Sequence, residues 1–353
     1  MLKRLFFLLL PLLLISCLTQ PPRNNSRAPS WVTDVYSAFP QAEYVAATGF
    51  GDSRAAAEAN ALAALTAFFG QSIQVERTAF SSYEQAVVNG IMNNWTDTAQ
   101  MSSNIKTLAS MDNLMGAEIK EVWFDSRGTY YAAAVMNKAN GIRIYNELLK
   151  NNEKIIHDLA AQSSADPVSF KSIVCLLFAA VLADTNEVYK NIVTLLDGAV
   201  NVDPLVIGGL YYRVAANDRI KRTGIGVRIT SGDRNGRIFG AFAKCFADWG
   251  FEPFLIPAPE GVGTRYLLDV NIVLSPVTLP ANPNNFSRIE ISAELMDTAN
   301  NNVILIPFNF NSREGHVSQT EADNRAIAAA ERNIGEAFAL RLEDYLTKLI
   351  TDR

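Results

Sequence analysis

Between Glu43 and Gly51 the run Glu-Tyr-Val-Ala-Ala-Thr-Gly-Phe-Gly predicts a strand that enters a tight turn. An alanine-rich segment, Ser53 to Phe69, follows and predicts a helix, since alanine is the strongest helix former. Asp52 or Ser53 is placed to cap it, because their side-chain oxygens accept first-turn N–H groups. Gly70 is positioned to end it as a C′ residue. Ala59 and Ala63, one turn apart, are expected to face the sheet. Ser72 to Ser82, with Ile73, Val75 and Phe80, reads as extended, and residues 83–113 show no clear period. Gly116 to Phe124 and Thr129 to Asn137 read as a hairpin around Asp125-Ser126-Arg127-Gly128, which is strong turn chemistry. In its first strand Ile119, Glu121 and Trp123 alternate with Lys120, Val122 and Phe124; in its second Tyr131, Ala133 and Val135 share a face. A helix from Lys138 to about Ala161 completes this part.

Pro167 to Asn217 reads as helical, with Ser172 to Ala183 its most apolar stretch. A bilayer-spanning helix needs about 20 apolar residues, so a buried core helix is the expectation there. Beyond it come a strand (Gly224 to Thr230) and a helix (Asn235 to Trp249) striped by Ile238, Phe239, Phe242, Phe246 and Trp249. Three strands are then predicted at Phe251 to Ile256, Tyr266 to Leu274 and Arg288 to Leu295. A turn at Asp297 to Asn302 leads to a strand from Val303 to Phe310. Ser318-Gln319-Thr320-Glu321 has the form of a capping box before a last helix whose face carries Ile327, Ile334, Phe338, Leu342, Tyr345 and Leu349. The class is α+β: two small sheet-plus-helix units, residues 29–160 and 220–353, joined by a helical segment at 161–219.

The N-terminus changes the picture. Lys3 and Arg4 precede an apolar run from Leu5 to Ile15, the pattern of a secretory signal peptide. It ends Leu14-Ile15-Ser16-Cys17, which resembles the bacterial lipobox. Residues 1–16 are therefore expected to be removed, and Cys17 to carry acyl chains, palmitate among them, that hold the protein to a membrane. Residues 17–28 are polar and broken by proline, as suits a tether. Leu18 stands where the inner-membrane retention signal has aspartate, which favours the outer membrane, on its periplasmic face.

A net charge of −5 argues against nucleic acid as partner. Three cysteines exclude a disulfide scaffold, and two histidines leave little for metal binding or catalysis. Gly49-Phe50-Gly51-Asp52-Ser53-Arg54 lies where a dinucleotide fingerprint would, but Arg54 replaces the third glycine. Ser231 to Arg237 lacks the Gly-Lys-Ser/Thr ending of a P-loop. Glu153 with His157, and Glu314 with His316, have no third metal ligand at useful spacing. No catalytic, cofactor or metal residue is assigned. Cys175 and Cys245 lie on apolar stripes; a bridge between them stays open, with buried free thiols favoured. Trp31, Trp95 and Trp123 are the aromatic residues offered as partner anchors, against a core role for each.

Three short motifs carry a family resemblance. Pro29-Ser30-Trp31-Val32, then Thr48-Gly49-Phe50-Gly51 with the alanine helix, then Gly128 to Val135 resemble the opening, central and closing motifs of the Lpp-twenty type of envelope lipoprotein. That family is related to the N-terminal domain of the flagellar-ring assembly protein T. The resemblance covers about residues 29–150 and implies a secreted, non-enzymatic protein. The leading function is then a lipid-anchored envelope accessory or assembly component that docks on other envelope proteins. The alternatives are a periplasmic module binding a small ligand or glycan and, behind it, a hydrolase.

Overall fold

The computed structural model describes residues 27–83, 114–197, 208–230, 232–257, 263–280 and 282–351. The residues expected to form the signal peptide, Cys17, nearly all of the expected tether, and residues 84–113 with Trp95 among them lie outside these ranges. The chain divides into two compact units: Met1–Phe68 with Gly116–Asn137, and Phe69–Met115 with Lys138–Arg353. The division thus falls directly after Asn137, whereas the periodicity alone suggested a first unit reaching 160.

In the first unit β1 (Tyr44–Gly51), β2 (Ala117–Phe124) and β3 (Tyr130–Asn137) form an antiparallel sheet in the order β1-β3-β2. The β2–β3 turn forms as its residues dictate: Asp125 Oδ1 accepts the N–H groups of Arg127 (2.8 Å) and Thr129 (2.9 Å). Gly128 supplies the left-handed φ of +91°. A register shift between Ile119 and Glu121 breaks the expected alternation of β2.

Helix α1 (Arg54–Tyr83) begins in this unit, where its first turns, Ala56 to Ala61, lie against Gly49 and Gly51 of β1. Ser53 Oγ accepts the Ala56 N–H at 3.2 Å, so Ser53 is the cap. Ala57, Ala61 and Leu65 are fully buried, whereas Ala59 and Ala63 are exposed, which corrects the expected helix phase. Alanine on nearly every side leaves the phase undefined until Leu65 sets it. Gly70 does not stop the helix, and Ser72 to Ser82 continues it instead of forming a strand. One interior glycine costs only about 1 kcal/mol relative to alanine, too little to end a long helix. On the other face of the sheet Trp31, Phe39, Ala46, Ala133 and Val135 form a small core with Val35, Tyr36 and Tyr44 around it.

The second unit holds a five-stranded sheet in the order β5-β4-β6-β7-β8. Its strands are β4 (Ile225–Ile229), β5 (Phe254–Leu255), β6 (Tyr266–Val277), β7 (Asn285–Asp297) and β8 (Val303–His316). β5 and β6 flank β4 in parallel, and the remaining pairs are antiparallel. In β7 Ile289, Ile291, Ala293 and Leu295 are buried while Arg288, Glu290, Ser292 and Glu294 are exposed. This is the one-sided sheet that the alternation predicted.

Among the described residues, six helices complete this unit: α2 (Lys138–Ala165), α3 (Phe170–Asp197), α4 (Gly209–Arg222), α5 (Arg237–Ala247), α6 (Gln319–Asn333) and α7 (Ala339–Thr351). A π-helical turn, Ile334–Phe338, joins the last two. One apolar cluster runs from Ile156 of α2 through α3, α4, α5, the sheet, α6 and α7. Residues 172–183 of α3 are all buried, so the apolar stretch is a core helix. Ser318 is the N-cap of α6, but its side chain makes no capping bond, and the expected capping box is not formed.

Candidate functional site

The sheet of the first unit sets its most exposed aromatic cluster. Phe50 of β1 is opposite Tyr131 of β3, which is opposite Trp123 of β2. Residues directly opposite in a sheet project from the same face. The three rings therefore form a row across all three strands, with centroids 6.5 Å apart for Phe50–Tyr131 and 5.4 Å for Tyr131–Trp123. On the same face Trp31, Val35, Tyr36 and Phe39 form the small core against which Tyr131 and Trp123 pack. At the row itself Phe50 is 69% exposed, Tyr131 and Trp123 are half-buried, and Thr48 and Glu121 beside them are exposed. Aromatic pairs of this kind add about 0.5–1.5 kcal/mol beyond the area they bury, so the row is held in place before any partner arrives.

Of the three tryptophans singled out from sequence, Trp31 is a core residue at 5% exposure, and Trp123 belongs to this row. Tyr131 was within reach of sequence reasoning, because the Asp125–Gly128 turn places it across from Trp123. Phe50 was not, because its register with β3 is a long-range pairing.

The two glycine-bearing turns serve packing and capping. At Gly49 an added Cβ would lie 2.1 Å from the Ala61 nitrogen, so the glycine lets α1 rest on β1. Asn60 Nδ2 donates to the Phe50 carbonyl at 2.9 Å, and Arg54 is paired with Glu58. In the second turn Asp233 accepts the N–H groups of Ile238 (2.9 Å) and Phe239 (3.0 Å). A carboxylate of the chain itself thus occupies the anion position at the start of α5. Arg234 is paired with Asp323 at 2.7 Å, and Arg237 with Glu331, which ties this turn to α6.

Asp323 also accepts from Gln319 at 2.9 Å and from the Ser287 hydroxyl. Burial works to raise the pKa of this carboxyl, but the bonds from Ser287, Gln319 and Arg234 outweigh it and hold the group below its ordinary value. These groups have no histidine among their bonded partners, and they bolt α6 to β7 and to the Arg234 turn. Glu153 and His157 are exposed on α2. Glu314 accepts from Ser312 and His316 from the Ser318 N–H. Among the described residues no three His, Cys, Asp or Glu side chains are grouped to hold a metal ion. Cys175 and Cys245 are both free and buried. Burial raises both thiols, Cys245 to about 11, which leaves them protonated and poorly nucleophilic at neutral pH.

Comparison with known proteins gives the first unit its relatives. Residues 29–137 match the LPP20 lipoprotein family. Among solved structures, a secreted protein of Helicobacter pylori aligns with a TM-score of 0.39 and 13% identity, over 82% of this chain and 97% of that one. A minor lipoprotein of Acinetobacter baumannii aligns with a TM-score of 0.23 and 9% identity, over 36% of this chain and 91% of that one. No curated protein matches the chain. The family match takes in the Trp31 segment, β1, α1, β2 and β3, so the likeness to the LPP20 lipoprotein family spans the sheet of the first unit and the helix that lies on it.

Proposed function

We propose that the protein is a non-catalytic, lipid-anchored component of the bacterial envelope that docks on another envelope protein. The lipid is placed on Cys17 and the anchor in the outer membrane, facing the periplasm. The observation that supports docking is the row Phe50–Tyr131–Trp123 inside the family-matched unit, in which Tyr131 and Trp123 pack against the Trp31 core and hold Phe50 in place, 69% exposed, at the outer end. Exposed aromatic rings fixed by their neighbours lose little conformational freedom on binding, which is why such rings dominate binding energy at interfaces.

A photoreactive phenylalanine analogue at position 50 tests this in intact cells. It should give one discrete adduct with an envelope protein, whereas the same group at Ser292, on the polar face of the second sheet, should give none. Equal yields from both positions, or no adduct from position 50, would remove the docking reading. The anchor is tested separately. Cys17→Ser should abolish incorporation of labelled fatty acid and move the protein to the soluble fraction; a variant as labelled and membrane-bound as the parent refutes lipidation at Cys17.

A further inference from the structure

The second unit carries a cleft of about 300 Å³ between the C-terminal ends of α4 and α5. Asn217, Ile220 and Lys221 line one wall from the last turns of α4, a spacing that puts all three on one helix face. Glu252 and Phe254 line the other, from the loop after α5 and from β5. Two glycines leave the space open. Gly250 takes the left-handed φ of +83° that closes α5, and a Cβ on Gly224 would stand 3.9 Å from the Phe254 ring, in ordinary contact only.

The walls carry opposite charges. Lys221 and Glu252 are both exposed, and neither enters an ion pair among the described residues, although the neighbouring Arg222 is paired with Asp218 at 2.6 Å. The Phe254 ring, 42% exposed, supplies apolar surface between them, with Ile220, buried at 7% exposure, showing only its edge to the cleft. Behind Gly224 lies Thr264, only 5% exposed, whose hydroxyl has no hydrogen-bond partner among the described residues.

We infer that this cleft binds a small zwitterion of α-amino-acid size. Its carboxylate meets Lys221 and Asn217, its ammonium meets Glu252 and the face of Phe254, and its side chain rests on Ile220. A ligand of one sign leaves the like charge desolvated beside it, which costs affinity; a zwitterion satisfies both walls. The volume stands at the lower end of small-molecule sites, about 300–1,000 Å³, which sets the size class. The inference is independent of the docking row, which lies on the other unit.

Saturation-transfer NMR on the full chain in detergent micelles tests it, with L-alanine, L-leucine and L-glutamine as probes. Isocaproate and isoamylamine are leucine without its amine and without its carboxylate. At least one amino acid should bind, and each single-charge analogue should bind about tenfold more weakly than leucine or worse. Lys221→Met and Glu252→Gln should each weaken binding by about tenfold while leaving far-UV circular dichroism unchanged, because both side chains are exposed. Absence of transfer from all three amino acids overturns the inference. So does equal binding of the analogues, or unchanged binding in both variants.

Discussion

A methyl group on Gly49 would lie 2.1 Å from the Ala61 nitrogen and 2.6 Å from the Ala57 carbonyl oxygen. Both obstacles are helix backbone and cannot swing aside. Gly49→Ala should therefore push α1 off β1 and lower stability by about 1–3 kcal/mol or more, read as a denaturant midpoint. Ala59→Leu, on the exposed side of the same helix, should change it by less than about 0.5 kcal/mol. At Gly70 two readings give opposite signs. A helix terminator in the left-handed region resists a side chain, whereas a glycine inside a helix with open space at its Cβ position gains from one. Gly70→Ala should stabilise the protein by about 0.4–1 kcal/mol; a loss would restore the terminator. Asp323 offers a pH test. Its folded pKa is lowered, so its contribution is fully present above the unfolded value, about 3.9, and is lost as pH falls through the folded value. The stability gap between parent and Asp323→Asn should accordingly be flat above about pH 5 and shrink below about pH 4, in urea titrations at stepped pH.

At the scale of elements, the last helices show that a stripe read from sequence can fix the element and still miss its buried line by one residue. The sequence stripe runs Phe338, Leu342, Tyr345, Leu349, as a regular helix would. The buried apolar residues are instead Ile334, Phe338, Leu342, Leu346 and Ile350, four apart, with Thr347 buried beside them, while Tyr345 and Leu349 are only partly buried. Helix α3 shows a second kind of dependence. Its first residue, Phe170, donates its N–H to the Tyr266 hydroxyl of β6 at 2.8 Å and stacks on that ring at 3.7 Å. Arg265, next to Tyr266, pairs with Asp166 at 2.9 Å and Asp297 at 3.0 Å. Asn152 of α2 donates to Asn186 of α3 at 2.9 Å inside the helical layer. The helices are thus fastened to the sheet and to one another by buried polar bonds as well as by the shared apolar cluster. A fragment of residues 138–353 should give a dispersed proton NMR spectrum and unfold cooperatively. Residues 220–353 alone, which leave α3 behind, should give the collapsed spectrum of a chain without fixed packing. A dispersed spectrum from the shorter fragment would restore the boundary near 220 suggested by periodicity.

For the whole molecule, the family match of residues 29–137 points to an envelope lipoprotein, the N-terminal pattern is the one expected of a signal peptide, and the charge of −5 argues against nucleic acid as partner; none of these depends on tertiary contacts. Much of the architecture was legible in the same way. Turn chemistry at Asp125–Gly128 and at Asp297–Asn302 is local, and so is the in–out alternation of β7, because each depends on a few adjacent residues and one solvent boundary. The α+β class and most element positions follow from such signals. The rest was decided by contacts between residues far apart in the chain. Which side of the alanine helix is buried depends on where β1 lies, since alanine fits either way. The fate of Ser72 to Ser82 was decided by helix propagation through Gly70, against a weak alternation of Ile73 and Val75. Phe50 joins Tyr131 and Trp123 only through strand register, and Lys221 and Glu252 line one cleft only because the ends of α4 and α5 come together beside β5. Local periodicity measures the free energy of an element against water. It carries no term for which distant surface covers that element, and that surface is where both candidate sites arise.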